Sequence, residues 1–168
     1  MTVSLKLGEV AVDAALAKLK THLPSRIAQV NAEKDDGLII VAPSDSDYYP
    51  FGVSEIPRYP TVVVAQLATS DEHEAEGSHS FVWVGDIAVA VFDADADRGK
   101  LGRRLQRLAR AVIEALWDEA PKEALQGSAF HLRFVRDDPG PVADPQLTGE
   151  TFYVGSHLIV FRAQQSEG

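Results

Sequence analysis

The sequence predicts an α+β fold: a mostly antiparallel β-sheet with two main helices packed on one face. Its elements follow the order α–β–β–β–α–β–β, so most strands succeed one another without the crossover helix that parallel pairing requires. One strand, within residues 79–93, is apolar on both faces, which is typical of a central strand. An amphipathic helix follows it directly and would cover one face. The other face is then left for a neighbouring subunit.

The N-terminal part is predicted to begin with a helix from Glu9 to about Asn31. Pro24 lies inside the apolar pattern and lacks the N–H that a helix needs, so we expect helix 9–22, a bend, and one or two further turns from Ser25. After an acidic turn, Leu38–Val41 is predicted to form a short strand.

Residues 42–58 form the least regular stretch, with three prolines, one glycine and the aromatic residues Tyr48, Tyr49 and Phe51. This composition excludes a regular helix or a central strand. Two interpretations remain open: an ordered surface loop whose aromatic side chains close over the core, or an arm that contacts a partner, because aromatic side chains favour interfaces.

The middle of the chain is predicted to form an antiparallel hairpin across residues 59–92. Tyr59–Leu67 is its first strand, with Pro60 at the start, where a missing donor is tolerated. The second strand alternates two apolar sets, Ile87, Val89 and Val91 on one face and Ala88, Ala90 and Phe92 on the other.

The C-terminal part adds two strands, Phe130–Arg136 and Thr151–Arg162. Residues 137–150 between them form a loop with three prolines and two glycines, to which the sequence assigns no role. Residues 163–168 are predicted to be a frayed tail. No repeat or second composition block appears, so residues 1–168 are predicted to form a single domain.

The helix after the central strand has an apolar stripe and a basic face. Asp95 or Asp97 is its expected N-cap, and Pro121 its expected stop. The stripe consists of Leu101, Leu105, Leu108, Val112 and Leu116. The basic face gathers six of the chain's 16 Lys and Arg within 13 residues: Arg98, Lys100, Arg103, Arg104, Arg107 and Arg110.

In a chain of net charge −9, this concentration of positive charge indicates an interaction surface. The alternative is a solvated face paired with acidic loops of the same chain, each pair contributing only ~0–1 kcal/mol. Acidic residues cluster at 71–76, 93–97 and 137–150, so the two signs are segregated along the chain. Such a protein can associate head to tail, and the product is a ring if the rotation closes.

Composition excludes several classes of protein. The 168 residues contain no cysteine, so disulfides, thiolate metal sites and a cysteine nucleophile are absent. No apolar run approaches the ~20 residues of a membrane span, and the N-terminus lacks the layout of a signal peptide, which predicts synthesis and retention in the cytoplasm. A pI near 4.9 argues against general nucleic-acid binding.

No catalytic or cofactor motif is present, and we expect neither an enzyme nor a bound cofactor. Asp93, Asp95 and Asp97 match the first half of a calcium loop, but the sixth position is Arg98 and the twelfth is Arg104. Acidic residues that precede a helix N-terminus are explained by the helix dipole. A metal-dependent hydrolase built on the three aspartates is therefore the weakest alternative. The histidines show no HExxH or similar spacing.

Four segments carry a family resemblance: LPSRIAQVN at 23–31, IPRYPTVVV at 56–64, the apolar strand 81–92 and LGRRLQRLARAVIEAL at 101–116. In this order, over about residues 5–162, the chain resembles the tail terminator (tail-completion, or minor tail) proteins of long-tailed bacteriophages and prophages. The insert 137–150 departs from that pattern.

The resemblance implies a virion protein, made in the bacterial cytoplasm, that forms a hexameric ring at the junction of tail and head. Its partners would be the tail tube protein and the head-completion protein, with double-stranded DNA passing through the lumen without sequence-specific binding. The expected subunit or lumen contacts are Lys100, Arg103, Arg104, Arg107 and Arg110, and the expected partner-contact arm contains Tyr48, Tyr49 and Phe51.

The alternative function is of a different class. It is a small cytoplasmic binding or regulatory module that recognises an anionic ligand or an acidic partner through the basic helix.

Overall fold

The computed structural model describes residues 2–72, 82–117, 130–145 and 151–165, and these form an α+β fold of two helices on a five-stranded sheet. The predicted fold class is therefore confirmed. The elements are α1 (Thr2–Glu33), β1 (Tyr48–Pro50), β2 (Thr61–Glu72), β3 (Val82–Asp95), α2 (Arg98–Leu116), β4 (Phe130–Ala143) and β5 (Tyr153–Gln165), with a 3-10 turn at Asp45–Asp47.

The sheet has the strand order β1-β2-β3-β5-β4, which places β3 in the middle as the sequence predicts. β1 pairs in parallel with β2, and the other neighbours are antiparallel. The predicted hairpin is confirmed by the pairing of β2 with β3, in which Val64 lies opposite Val89. Residues 73–81, which join these two strands, lie outside the described residues.

The hydrophobic core lies between the helices and one face of the sheet. On β3 this face consists of Ile87, Val89 and Val91, all fully buried. The predicted stripe of α2 packs against it, and its members Leu101, Leu105, Leu108, Val112 and Leu116 are all buried. The expected stop at Pro121 falls outside the described residues, and α2 itself ends at Leu116.

The prediction of a bend at Pro24 is wrong, because α1 is one helix of 32 residues with Pro24 inside it. A proline in a helix interior costs about 3 kcal/mol. Leu19, Leu23, Ile27 and Val30 are buried on both sides of it, and each such burial stabilises by about 1.5–3 kcal/mol. The stabilisation from burying these four side chains therefore exceeds the cost of a proline inside the helix. Neither described helix has an apolar stretch of the length that crosses a membrane.

The predicted strand at Leu38–Val41 is also wrong, although the segment is held as a strand would be. The side chain of Asn31 replaces the missing neighbour strand: its Oδ1 accepts from the N–H of Ile40 at 2.9 Å, and its Nδ2 donates to the carbonyl of Ile40 at 2.9 Å. One amide side chain thus satisfies both polar groups of a backbone residue whose side chain is buried.

The last two strands are longer than predicted. β4 continues through the proline-rich stretch to Ala143, and β5 continues to Gln165. Irregularities between Phe134 and Arg136 and between Pro139 and Val142 absorb the extra residues. β4 is an edge strand, where a proline without a donor is tolerated.

Candidate functional site

The basic helix begins with a capped turn. Asp97 is the N-cap of α2, as predicted, and its Oδ1 accepts from the backbone N–H of Lys100 at 3.0 Å. This hydrogen bond lowers the pKa of Asp97, and attraction to the charges of Lys100 and Arg103 lowers it further. The cap fixes where the basic residues of the first two turns emerge from the fold.

Arg104 ties the end of β3 to α2. Its Nη2 donates to Oδ1 of Asp93 at 3.0 Å and its Nη1 to Oδ2 of Asp95 at 3.0 Å. The side chain of Asp93 is 1% exposed and that of Arg104 18%. Burial raises the pKa of Asp93, and the charge of Arg104 opposes that shift.

Two buried atoms of this cluster, Asp93 Oδ2 and Arg104 Nε, have no hydrogen-bond partner, although Nη2 lies 2.8 Å from Oδ2. Asp93 and Asp95, which match calcium ligands in the sequence, thus accept hydrogen bonds from the guanidinium group of Arg104. Within the described ranges, no cluster of three acidic or histidine side chains is arranged to hold a metal ion.

Arg107 joins α2 to the turn after α1. Its Nη1 donates to Oδ1 of Asp36 at 3.0 Å and to the carbonyl of Leu38 at 3.0 Å, and its Nη2 donates to the other carboxylate oxygen. Hydrogen bonding to Arg107 lowers the pKa of Asp36 to about 2. The side chain of Arg107 is mostly buried.

Arg110 has two acidic partners in the same chain. Its Nε donates to Glu114 at 2.8 Å, and its Nη2 lies 2.8 Å from a carboxylate oxygen of Glu33. The hydrogen bonds to Glu114 and Glu33 raise the pKa of Arg110. Arg104, Arg107 and Arg110 are therefore all paired within the chain, as the solvated-face alternative describes.

Three basic residues remain at the start of the helix: Arg98, Lys100 and Arg103, here named the cationic patch. All three are exposed, and the described part of the chain gives none of them an ion pair. The first turn of α2 contains no acidic residue. Positive charges at a helix N-terminus oppose the helix dipole. Within the described chain, attraction to Asp97 is a partial compensation of the cationic patch, and its exposed positive charge is suited to contact with an acidic partner.

The three aromatic residues of the arm occupy different environments. Tyr48 is 5% exposed and belongs to the core. Its hydroxyl has no hydrogen-bond partner among the described residues, and burial raises its pKa to about 12. Tyr49 is half-buried, whereas Phe51 is 52% exposed and has a φ of 64°. Their role as a partner-contact arm stays a prediction, and Phe51 is the one whose side chain reaches solvent most.

The face of the sheet opposite the helices is apolar as well, and is here named the open sheet face. Strand register defines one row across it, Tyr49, Val63, Ala90 and Leu158, and a second row, Ala65, Ala88 and Val160. None of the seven belongs to the core between sheet and helices, although Ala88 and Val160 are buried and the other five are half-buried. On β4 the two rows continue as Asp138 and Arg136, which form an ion pair with each other. The apolar part of the face, on β1, β2, β3 and β5, is suited to contact.

One end of the open sheet face is charged. Asp86, Arg162 and Arg133 lie side by side on β3, β5 and β4. Arg162 Nε donates to Oδ1 of Asp86 at 3.1 Å. Arg133 is exposed opposite the like charge of Arg162 and has no ion pair among the described residues. Among the described side chains, this end therefore carries one positive charge without an ion pair.

His157 is a buried polar residue for which the sequence shows no motif. It is 4% exposed on the core side of β5, and its Nε2 lies 2.8 Å from Oδ2 of Asp137. No local signal identifies this pair, because the β4 irregularities decide which acidic residue reaches the histidine. His131 has no described side chain.

Comparison with known proteins finds likeness among solved structures. No family model and no curated protein matches the chain. Among solved structures, the chain is similar to one in the "Virion of native gene transfer agent (GTA) particle", with a TM-score of 0.48 and 19% identity. The alignment covers 89% of this chain and 98% of that one. The residues described above, rather than this likeness, support the proposal that follows.

Proposed function

We propose that the protein is a structural component of a phage-type virion, a tail terminator that assembles as a ring, caps the tail tube and joins it to the head. The sequence resemblance supports this assignment, and so does an α+β subunit with two surfaces suited to contact. Its partners would be further copies of the chain, a tail tube protein and a head-completion protein, around a lumen that lets DNA pass.

The observation that carries the proposal is the cationic patch. In a chain of net charge −9, Arg98, Lys100 and Arg103 have no ion pair with the described residues, whereas the next three arginines of α2 are all paired. Acidic surfaces of neighbouring subunits would compensate these charges. Arg104, Arg107 and Arg110 then act mainly within the subunit, by holding α2 in place.

The test is assembly of a charge-reversed protein. Lys100→Glu combined with Arg103→Glu is expected to abolish the oligomers that the wild type forms, as measured by light scattering and negative-stain imaging. The matched control combines Arg26→Glu with Lys34→Glu, which changes the net charge equally and is expected to assemble normally. Wild-type assembly by the first variant would show that the cationic patch lies outside every subunit contact.

The cationic patch also favours a second candidate, a binding module for an anionic ligand. A ligand that binds only the native state raises the melting temperature by mass action. A thermal-shift screen with inorganic phosphate and nucleotides separates the two candidates. A shift that disappears in the Lys100→Glu, Arg103→Glu variant, together with a monomeric wild type, would favour the binding module.

A further inference from the structure

We propose that the ring contact includes, besides the cationic patch, the outer face of α1 of one subunit, packed on the open sheet face of the next. This inference rests on the proposed ring and names the surfaces that build it. The occupant of the open sheet face is thus a second copy of this chain.

The outer face of α1 supplies the first surface. Val10, Ala17, Pro24 and Ala28 are exposed, and their spacing places them on one side of the helix. Val10 is 41% exposed. The opposite side of α1 is the buried stripe that includes Leu19 and Leu23. The outer face therefore offers exposed apolar groups for contact, interspersed with polar ones such as Asp13.

The open sheet face supplies the second surface, and it lies on the opposite side of the subunit. In the described part of the chain the subunit has two layers, with both helices on one side and the open sheet face on the other. A contact between these two sides is head to tail, because each copy uses a different surface towards each neighbour. Such contacts form rings when the rotation closes. Each sheet would then be covered by helices on both faces.

Charge is complementary across the proposed contact. Glu9 and Asp13 are exposed beside Val10 near the start of α1, and the described chain gives neither an ion pair. Arg133 and Arg162 border the apolar rows of the open sheet face. Acidic residues on the helix would therefore face basic residues on the sheet, where Arg133 has no ion pair among the described residues.

The two charged regions also lie at the same end of the subunit. A Cβ added at Gly8 would come within 1.8 Å of Gln66 Oε1, so the start of α1 lies beside Gln66 on β2. Strand register connects Gln66 across the sheet to Ile87, to Phe161 and to Phe134, the residues next to Arg162 and Arg133. For a ring whose axis runs along the strands, rotation from one subunit to the next leaves each residue at the same height along that axis. The acidic and basic groups can therefore meet in a closed ring.

Cross-linking between two single-cysteine variants tests the contact, since the natural chain contains no cysteine. Val10→Cys and Leu158→Cys are purified separately, mixed under assembly conditions and treated with a short bismaleimide. The mixture is expected to yield a cross-linked dimer, whereas each variant alone yields none, because a head-to-tail contact never joins two copies of the same surface. Ile39→Cys, at a position 66% exposed away from both surfaces, is the control partner for Val10→Cys.

The outcomes separate this inference from the proposed function. Oligomers in light scattering without a mixed cross-link would overturn the α1–sheet contact and leave the ring proposal standing on another surface. Absence of both the oligomers and the mixed cross-link would overturn the α1–sheet contact and the ring proposal together. A Leu158→Glu variant that assembles as well as Ile39→Glu would likewise contradict the contact.

Discussion

Replacing Arg104 with leucine tests how the end of β3 is held to α2. Two unit charges about 4 Å apart at an effective dielectric constant of about 20 attract by about 4 kcal/mol. Asp93 is 1% exposed, so the substitution leaves a buried carboxylate without its cation. Breaking a buried pair in this way costs about 3–5 kcal/mol. We expect the free energy of unfolding at neutral pH to fall by that amount.

The pH dependence of the Arg104→Leu variant follows from the direction in which the pKa of Asp93 is shifted. Burial already raises the pKa of Asp93, and removal of Arg104 takes away the opposing attraction. The native state then binds this proton more tightly than the unfolded state does. The stability of the variant therefore increases as pH falls through the native pKa towards 3.8, the ordinary value of an aspartate.

Urea unfolding, followed by tryptophan fluorescence at neutral and mildly acidic pH, is the assay. Arg103→Leu is the control, an exposed neighbour without an ion pair, and it is expected to change stability by less than about 0.5 kcal/mol. The double variant Arg104→Leu, Asp93→Ala removes the stranded charge and is expected to recover much of the loss. The reasoning fails if Arg104→Leu costs no more than the control, or if the double variant is no more stable than the single one.

Three further predictions concern Tyr48, Asp36 and two glycines. Tyr48→Phe removes a buried hydroxyl without a partner and is expected to raise the free energy of unfolding by about 1 kcal/mol. The variant also lacks the tyrosine whose pKa of about 12 an ultraviolet titration detects. A clear loss of stability in Tyr48→Phe would contradict a hydroxyl without a partner. In an NMR titration the pKa of Asp36 is expected to be about 2, and in the Arg107→Gln variant this pKa should move towards the ordinary value of 3.8. The contribution of the Asp36–Arg107 pair to the free energy of unfolding is complete above pH 3.8 and is lost as the pH falls towards about 2. An unchanged pKa of Asp36 in the variant would exclude the pair. Gly155→Ala places a Cβ 2.7 Å from a leucine methyl of α2 and is expected to destabilise by about 1–3 kcal/mol in urea unfolding. Gly102→Ala, which meets nothing within 4 Å on the exposed side of α2, is expected to stabilise by up to about 1 kcal/mol, and equal effects at the two sites would refute the packing described.

Local patterns predict the parts of the fold that depend on near neighbours. The stripe from Leu101 to Leu116 and the cap at Asp97 need only helical spacing and one short side chain, and both are confirmed. The central position of β3 follows from two apolar faces. Where burial competes with local preference, sequence reasoning fails, and Pro24 is the example, because packing on both sides keeps α1 continuous.

The partners of the basic helix depend on distant residues and were beyond the sequence pattern. Arg107 meets Asp36, which lies 71 residues earlier in the chain. Arg110 likewise meets Glu33 at the end of α1. A helical wheel shows six equivalent basic residues, whereas the fold divides them into a paired set and the cationic patch. The role of the cationic patch as a contact stays a prediction.

The most direct test of the central claim is the molar mass of the wild-type protein by light scattering over a wide range of concentration, with negative-stain images of the largest species. The account predicts a discrete species with a central hole, whose mass is a whole multiple of the 18.2 kDa chain. Six chains would match the ring that the family resemblance implies. A protein that stays monomeric at every concentration, with no ring in the images, would contradict it.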